Sequence, residues 1–272
     1  MGENIHLEKN VADGVAVIRL DRPKVNALGS DMMRDLHAIC DELAVDDTTR
    51  AVVVTGGRKN FAAGADISEF PSFTAETAQQ FSNMFNDSLL ALENLPQVTI
   101  SAINGFALGG GLEVAVATDF RMIAEDGRMG VPEIQLGLIP GGGGTQRIPR
   151  LIGIGRAMEV VLGADDVDAE TAERWGFLNR AMSGDSLSAY VDALATRIAS
   201  FPPAAVREAK RAVNASVERS LDEGLKYESY LFQVLLRDVD AQPSMRRYLD
   251  AGGQTRDVEL RIGSVMGELF DT

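Results

Sequence analysis

Two glutamates each lie close to a cluster of glycines in the middle of the chain. Glu113 follows glycines 109–111, where the pattern predicts the start of a helix, and Glu133 lies in a Pro-Glu turn ahead of glycines 141–144. Glycine allows the backbone to approach a ligand closely. A helix start offers unpaired N–H groups at the positive end of the helix dipole. The pattern predicts an oxyanion-binding site flanked by two carboxylates that can donate and accept protons.

A third segment, residues 60–67, supports the same hypothesis. It follows the predicted buried strand 51–55 and consists of small residues around Asp66. Small residues suit a backbone that passes close to a ligand. Each acidic residue taken alone also has a structural explanation: Asp66 can cap the next helix, Glu113 can belong to a capping box, and Glu133 can be a solvated loop residue. The three segments together favour a site.

Composition restricts the class of protein. The 272 residues are 45% hydrophobic, which is enough for a sizeable core, and the formal net charge is -14. An acidic chain argues against a nucleic-acid partner, because phosphate backbones are bound by basic surfaces. The apolar stretch 98–118 is interrupted by Asn104, Glu113 and glycines, so no membrane span or membrane insertion is predicted. The single cysteine, Cys40, can form no internal disulfide, and the start of the chain lacks a signal-peptide pattern. We expect a soluble cytoplasmic protein.

Several common catalytic motifs are absent from the sequence. Neither glycine cluster fits the dinucleotide fingerprint G-x-G-x-x-G, and no Gly-Lys pair exists for a phosphate-binding P-loop. His6 and His37 are the only histidines and lie in unrelated segments, so no metal site is expected. His37 is interpreted as a surface or packing residue of a helix. Cys40 is interpreted as a core residue on the apolar face of that helix.

Hydrophobic periodicity predicts an α/β fold. Asp13-Gly14 between two alternating segments predicts a hairpin of strands 6–11 and 15–20. The helix 30–44 is expected to begin with Ser30 or Asp31 as its N-cap. Further along the chain strands alternate with helices, which indicates crossover connections: strands 51–55, 98–103 and 119–124, and helices 74–95 and 109–117.

After residue 144 the pattern is mostly helical. The spacing of apolar residues predicts helices at 144–152, 156–162, 169–175, 187–200, 203–216 and 221–237. The Pro202-Pro203 pair indicates the start of a new helix. We therefore expect a catalytic core at residues 1–200 and a helical C-terminal oligomerisation region at residues 201–272. The tail after Asp250 is expected to pack on a neighbouring subunit through residues at helical spacing: Val258, Ile262, Val265, Met266 and Leu269.

The chain resembles the enoyl-CoA hydratase (crotonase) family from its first hairpin to about Leu249. The segments that carry the resemblance are Asp21-Arg-Pro-Lys-Val-Asn-Ala-Leu28, Phe61-Ala-Ala-Gly-Ala-Asp-Ile67, Asn104-Gly-Phe-Ala-Leu-Gly-Gly-Gly-Leu-Glu113, Pro132-Glu-Ile-Gln-Leu-Gly-Leu-Ile-Pro-Gly-Gly-Gly-Gly-Thr-Gln-Arg147 and Ser220-Leu-Asp-Glu-Gly-Leu-Lys-Tyr-Glu228. No single segment is specific for the family, whereas their joint occurrence is.

The resemblance implies a fold, a substrate and a set of site residues. The fold is an α/β, crotonase-like spiral of ββα turns with a helical C-terminal extension, assembled as a homotrimer or homohexamer. The substrate is an acyl-CoA thioester; coenzyme A is part of the substrate, and neither a further cofactor nor a metal is implied. The N–H donors of the oxyanion hole fall on Ala65 and Gly110, and the catalytic glutamates on Glu113 and Glu133. Contacts to acyl-CoA are implied for Lys24, Ala63, Ala65, Asp66, Ile67 and Gly110.

These residues favour hydration of a 2-trans-enoyl-CoA to a 3-hydroxyacyl-CoA, as in fatty-acid beta-oxidation. Water attacks C3 while negative charge builds on the thioester oxygen, which the N–H donors stabilise. Glu113 is expected to hold and activate the water and Glu133 to protonate C2. Two alternatives stay open. One is an isomerase that converts 3-enoyl-CoA to 2-enoyl-CoA, for which one glutamate suffices; the other is a non-catalytic acyl-CoA-binding protein. The sequence does not indicate the acyl chain length.

Overall fold

The fold is described from a computed structural model covering residues 4–10, 12–57 and 59–270. The chain divides into two compact units between Ala195 and Thr196. This boundary falls inside the helix Gly184–Ala199. The strands given below all belong to the first unit, and the second unit is helical.

The described strands range from two to six residues. In chain order they are β1 (Ile5–Asn10), β2 (Val15–Leu20), β3 (Ala27–Leu28), β4 (Ala51–Thr55), β5 (Gly64–Ala65), β6 (Val98–Ile103), β7 (Phe106–Leu108), β8 (Phe120–Ala124), β9 (Arg128–Gly130), β10 (Val167–Asp168) and β11 (Arg180–Met182).

One large sheet and two small ones organise these strands. The large sheet has the order β1-β2-β4-β6-β8-β11. Its first pair is an antiparallel hairpin, and every later pair is parallel, as crossover connections require. The small sheets have the orders β10-β9-β7 and β3-β5. Two of their strands belong to the segments identified in the sequence: β5 contains Gly64 and Ala65, and β7 ends directly before Gly109.

The described helices follow in chain order. They are α1 (Ser30–Ala44), α2 (Ala75–Glu93), α3 (Gly110–Val116), α4 (Gly144–Ile152), α5 (Ile154–Gly163), α6 (Ala169–Trp175), α7 (Gly184–Ala199), α8 (Pro203–Ala215), α9 (Leu221–Leu235), α10 (Ala241–Asp250), α11 (Arg256–Glu259) and α12 (Ile262–Phe270). Two short 3₁₀ helices, Phe70–Ser72 and Pro132–Leu136, are also present.

The long elements predicted from periodicity are confirmed. The hairpin, the buried strands β4 and β6, and the helices α1 and α2 lie within two residues of their predicted ends. The predicted end of the first strand at Val11 lies outside the described residues. The buried face of α1 carries the apolar residues that its spacing indicated: Met32, Met33, Leu36, Ile39, Cys40 and Leu43.

The predicted N-cap of α1 is wrong. The N-cap is Gly29, which has no side chain to offer, and Ser30 is the first helical residue. The missing acceptor comes instead from Glu69, whose carboxylate accepts from the Ser30 N–H at 3.0 Å and from the Ser30 hydroxyl at 2.5 Å. A residue 39 positions along the chain therefore performs the capping that a local sequence pattern assigns to Ser30 or Asp31.

The helical tail differs from the expectation that it packs on a neighbouring subunit. Val258 and Val265 are buried within the chain itself, and α12 contacts α10 and α11. The prediction is therefore wrong for these two residues, since their apolar surface is already covered. The side chain of Met266 lies outside what the structure describes. Among the described helices, none is long and apolar enough to cross a membrane.

Candidate active site

The first unit contains a cavity of about 610 Å³. Four segments line it: residues 63–67, residues 70–85, the turn of Gly109 and Gly110 into α3, and residues 132–142. Three of these are the segments in which the sequence indicated chemistry, and the fourth is the first half of α2 with the short 3₁₀ helix before it. Residues that are far apart in the chain therefore line one cavity.

The backbone N–H of Ala65 is directed away from the neighbouring strand. In the β3–β5 pair, the N–H of Asp66 donates to the carbonyl oxygen of Leu28 at 2.9 Å. Successive N–H groups along a strand alternate in direction, so that of Ala65 points to the opposite side. Ala65 lines the cavity. Gly64 before it has a φ of +110°, a conformation that favours glycine.

Gly110 supplies a second N–H beside that of Ala65. It is the first residue of α3, and the N–H groups in the first turn of a helix have no acceptor within the helix. The preceding residue, Gly109, has a φ of +50° and donates its own N–H to the carbonyl oxygen of Gly130. A Cβ atom built on Gly110 would lie 3.1 Å from the Ala65 nitrogen. The two backbone segments thus lie side by side at the cavity.

Glu113 is held by the second glycine cluster. Its side chain is buried, with 3% of the residue exposed. Oε1 accepts hydrogen bonds from the N–H groups of Gly142 and Gly144, each at 2.8 Å. These partners are about thirty residues away along the chain, so Glu113 is not a capping-box residue of α3. The glycine cluster 141–144 therefore positions a carboxylate rather than cradling a phosphate.

The same environment shifts the protonation of Glu113. Burial raises the pKa of Glu113 to about 7, because charge is unfavourable away from water. The nearby charge of Glu133 acts in the same direction. The hydrogen bonds from Gly144 and Gly142 and the charge of Arg147 oppose both effects by favouring the ionised form. The balance of these effects leaves the pKa of Glu113 above the ordinary value of a carboxyl group.

Glu133 reaches the cavity from the 3₁₀ helix Pro132–Leu136. It is half-buried, and its buried Oε2 has no hydrogen-bond partner among the described residues. A Cβ atom built on Gly109 would lie 2.5 Å from Glu133 Oε1, so the carboxyl group adjoins the turn into α3. Burial raises the pKa of Glu133 as well. The solvated-loop interpretation of Glu133 is wrong, and an unpaired buried carboxyl oxygen is available to a ligand.

Asp66 has a different environment from the one that capping predicts. Its Oδ1 accepts from the hydroxyl and the N–H of Ser68, and its Oδ2 pairs with Arg22 Nη2 at 2.6 Å. These contacts lower the pKa of Asp66, the Ser68 hydroxyl contributing most. The N-cap of α2 is Thr74. The Asp66 side chain ties the loop 66–68 to Arg22, whereas the neighbouring Ile67 lines the cavity.

The remaining predicted contact residues are divided between the cavity and the surface. Ala63 lines the cavity. Lys24 is exposed and lies outside the cavity lining; its carbonyl oxygen accepts from Asn60 Nδ2 at 3.3 Å. In the described part of the chain, no group of three His, Cys, Asp or Glu side chains could hold a metal ion. Cys40 is buried in the core, and burial raises the pKa of its thiol to about 12.

Arg147 is a further residue of the site, and sequence reasoning assigned it no role. Its Nε and Nη2 donate to Glu93 Oε2 at 3.1 and 2.7 Å, and its Nη1 donates to the carbonyl oxygen of Gly142 at 3.1 Å. Arg147 therefore ties the loop that holds Glu113 to the end of α2. Its place directly after the glycine cluster, in Gly144-Thr-Gln-Arg147, is the signal from which a positioning role could have been inferred.

Comparison with known proteins agrees with this geometry. Residues 10–255 match the family described as enoyl-CoA hydratase/isomerase. The chain belongs to the enoyl-CoA hydratase/isomerase family. The short-chain-enoyl-CoA hydratase of Clostridium acetobutylicum is 36% identical over 249 residues, which cover 91% of this chain and 95% of that protein. A probable enoyl-CoA hydratase of Mycobacterium tuberculosis is 39% identical over 237 residues, covering 87% and 91%.

Solved structures of the enoyl-CoA hydratase/isomerase family have the same fold. The crystal structure of enoyl-CoA hydratase from Bacillus anthracis superimposes with a TM-score of 0.87 at 35% identity, covering 91% of this chain and 96% of that one. The crotonase-like α/β fold with a helical C-terminus is therefore confirmed. The family includes both hydratases and isomerases, so the chemistry has to be argued from the site itself.

Proposed function

We propose that this protein adds water to 2-trans-enoyl-CoA thioesters to give 3-hydroxyacyl-CoA. One observation carries the proposal: two carboxyl groups with raised pKa, Glu113 and Glu133, line the same cavity as the backbone of Ala65 and Gly110. Hydration needs a group that deprotonates water, a group that protonates carbon and a site that stabilises an enolate oxygen. The cavity contains candidates for all three. The names of the similar hydratases support the same reaction.

In the proposed mechanism, the thioester oxygen accepts hydrogen bonds from the N–H groups of Ala65 and Gly110. A water molecule held by the glutamates attacks C3, and its proton passes to Glu113. The electrons of the C2–C3 double bond move onto the thioester oxygen, where the two donors stabilise the enolate charge. As the carbonyl re-forms, Glu133 delivers a proton to C2. Transfer of the proton from Glu113 to Glu133 restores the starting state, so the net change is addition of one water across the double bond.

The charge state of the two glutamates suits this division of roles. Glu113 is fixed by two N–H groups that favour its ionised form, as a base requires. Burial raises the pKa of Glu133, and its Oε2 accepts no hydrogen bond from the described residues; both favour the protonated form that a donor requires. No cofactor is proposed beyond the coenzyme A of the substrate, and Lys24 is proposed to contact that coenzyme A moiety.

Isomerisation of 3-enoyl-CoA is the second candidate. The observation that favours it is the unpaired Oε2 of Glu133, since a single carboxyl group can carry a proton between C2 and C4. Glu113 would then have no chemical role, although its raised pKa and its two backbone donors are those of a base. Hydration accounts for both glutamates and is the function we propose.

Assembly and location complete the proposal. We infer a homotrimer or homohexamer, supported by the exposed apolar side chains on α8 and α9, such as Val213, Leu221 and Phe232. Closed symmetry covers such surface without leaving an open edge. A cytoplasmic location is proposed from the single cysteine of the chain.

The direct test follows the loss of enone absorbance when 2-enoyl-CoA is added to the enzyme. Glu113→Gln and Glu133→Gln are each expected to reduce kcat by about 10²–10⁴-fold, while binding of a saturated acyl-CoA, measured by calorimetry, is retained. Glu173→Gln on α6, an exposed position outside the cavity, is the control and should leave kcat unchanged. The proposal is contradicted if either glutamate variant hydrates 2-enoyl-CoA at near wild-type rate. It is also contradicted if the enzyme rapidly isomerises 3-enoyl-CoA to 2-enoyl-CoA but does not hydrate the product.

A further inference from the structure

Four phenylalanine rings form a row along one wall of the cavity. Phe85 lies on α2 with its ring 5.9 Å from that of Phe81, measured between centroids. The Phe81 ring lies 5.4 Å from each of the rings of Phe70 and Phe73, which are 5.4 Å from one another. All four residues line the cavity. The row thus begins with one buried ring and ends with three rings in mutual contact.

The first ring of the row lies at the proposed reaction centre. A Cβ atom built on Gly110 would be 2.8 Å from Phe85 Cζ, and one built on Gly142 would be 2.6 Å from Phe85 Cδ1. Gly110 contributes a proposed oxyanion donor, and Gly142 holds Glu113. Phe85 therefore packs between the two halves of the catalytic arrangement. The other three rings continue from Phe85 along the cavity wall.

The polar side chains of α2 and its N-cap that line the cavity already have hydrogen-bond partners within the protein. Besides the two glutamates, the polar side chains in the described lining are Thr74 and Ser82. Thr74 is occupied as the N-cap of α2, where it pairs with Thr77. Ser82 donates to the carbonyl oxygen of Gly141 at 2.9 Å. A substituent lying along the rings finds aromatic carbon and no free polar side chain, which disfavours hydroxylated or carboxylated chains.

We propose that the row of Phe81, Phe70 and Phe73 binds the hydrocarbon chain of a medium-chain acyl group, of about six to ten carbons, and makes such 2-enoyl-CoA thioesters the preferred substrates. This inference rests on the proposed hydration at the same cavity. Carbon–carbon bonds of about 1.5 Å make a four-carbon acyl group about 4 Å long. Such a group is shorter than the 5.9 Å between the rings of Phe85 and Phe81. About eight carbons, roughly 9 Å long, span that distance and continue towards the rings of Phe70 and Phe73.

Aliphatic side chains elsewhere in the cavity lining fit the same occupant. Ile67, Leu136 and Ile139 line the cavity and are 55%, 59% and 66% exposed. These side chains add exposed aliphatic surface to the same cavity, so an alkyl chain bound there removes apolar surface of both kinds from water. Burying one methylene group is worth roughly a fourfold change in affinity. Several methylene groups together are therefore enough to set a clear order among substrates.

The test compares kcat/KM for 2-enoyl-CoA substrates of four, six, eight, ten and sixteen carbons with the full-length protein. We expect kcat/KM to rise by at least about tenfold from the four-carbon to the eight-carbon substrate. In Phe73→Ala, kcat/KM for the eight-carbon substrate should fall by about tenfold while that for the four-carbon substrate stays within about twofold. Leu90→Ala truncates an exposed apolar residue of the same helix as Phe81, outside the cavity lining, and should change neither value.

Each outcome separates the chain-length inference from the proposed function. A maximum at four carbons, or a kcat/KM independent of length, overturns the inference while leaving hydration intact. An equal loss for both substrates in Phe73→Ala and also in Phe81→Leu, which keeps an apolar side chain, likewise overturns it. Failure to hydrate any substrate of the series contradicts the proposed function instead.

Discussion

Glu113 is subject to opposing effects that together set its chemistry. Burial raises its pKa to about 7, while two N–H groups of the loop at Gly142 and Gly144 favour the charged form. A general base is most effective when its pKa lies near the working pH. A carboxylate at an exposed position would be a weaker base, and a buried one without donors would stay protonated. The hydrogen bonds therefore make burial compatible with proton transfer.

The raised pKa of Glu113 predicts a dependence of stability on pH. Between the usual value of 4.5 and about 7 the folded protein binds a proton that the unfolded chain does not. Stability is therefore lost as pH rises through this window, by about 3 kcal/mol in total. Glu113→Gln removes this loss, because glutamine does not titrate. In urea unfolding, the free energy of unfolding of the variant should therefore rise relative to that of the wild type between about pH 5 and pH 8. Parallel pH profiles for the two proteins would show that Glu113 has an ordinary pKa.

Substitutions of Gly110 are expected to lower kcat while the protein stays folded. Gly110→Pro deletes the N–H group that we propose as an oxyanion donor, and Gly110→Ala places a methyl group against Phe85 and Ala65. Removal of one such donor typically lowers kcat by about 10²–10³-fold. Gly155→Ala on α5 is the control, since no atom lies within 4 Å of a Cβ built there. A folded and fully active Gly110→Pro protein would refute the oxyanion role.

At the scale of elements, the end of α2 and the start of α4 jointly fix the loop that holds Glu113. Arg147 on α4 contacts Glu93 at the end of α2 and the carbonyl oxygen of Gly142. Asn86, one helical turn after Ser82, donates to the carbonyl oxygen of Gly141 at 2.9 Å. The carbonyl groups of the loop are thus directed outward to these side chains, which leaves its N–H groups facing Glu113.

Arg147→Gln is expected to move the pH–rate profile. It removes a positive charge that lowers the pKa of Glu113 and a hydrogen bond that fixes Gly142. The pKa of Glu113 should therefore rise, and the acid limb of kcat/KM should shift to higher pH. Arg150→Gln, which removes an exposed arginine from the same helix, is the control. A reduced rate with an unmoved acid limb would mean that Arg147 serves stability alone.

The length of an element decides how well the sequence predicts it. Helices α1 and α2 and the five- and six-residue strands of the large sheet contain enough residues for a period to be visible, whereas its three-residue strand β11 was not predicted. The pairs β3–β5 and β7–β9 consist of two or three residues per strand and were not predicted, although β5 carries Ala65 and β7 leads into Gly110. The N-cap of α1 was predicted wrongly because Glu69, its real partner, lies in a distant loop.

The candidate site was predicted in part. The motifs around Glu113 and Glu133 indicated which residues to consider, and the structure brings them to one cavity with Ala65 and Gly110. Their roles stay predictions. The donors to Glu113 and the contacts of Arg147 depend on segments separated by 29 to 54 residues, and no local pattern specifies such distances.

At the scale of the whole molecule, the C-terminal unit exposes large apolar side chains on consecutive helices. Val213, Leu221, Leu225 and Phe232 are 52–80% exposed. Scattered exposed apolar residues are common, but repeated large ones on consecutive helices indicate contact with another chain. In the tail, Val258 and Val265 are buried and do not add to this exposed surface.

Light scattering is expected to give three or six times the mass of the chain. Phe232→Glu places a charge in the proposed interface and should shift the mass towards the monomer, because an unpaired charge is costly to bury. Circular dichroism of the variant is the control for intact helices. A wild-type protein that is a uniform monomer, or a Phe232→Glu protein of unchanged mass, would contradict the proposed interface.

The proposed donors at Ala65 and Gly110 belong to the main chain, and this has a consequence for how the enzyme can be dissected. Alanine scanning would pass over Ala65 entirely, since the residue is already alanine and its methyl group is not the proposed functional part. The amide at Ala65 can be replaced by an ester through semisynthesis or unnatural-residue incorporation. This exchange replaces the N–H group by oxygen, so the proposed donor is lost while the shape of the backbone is largely preserved. Mutagenesis of side chains therefore cannot detect every group that such a protein uses for catalysis.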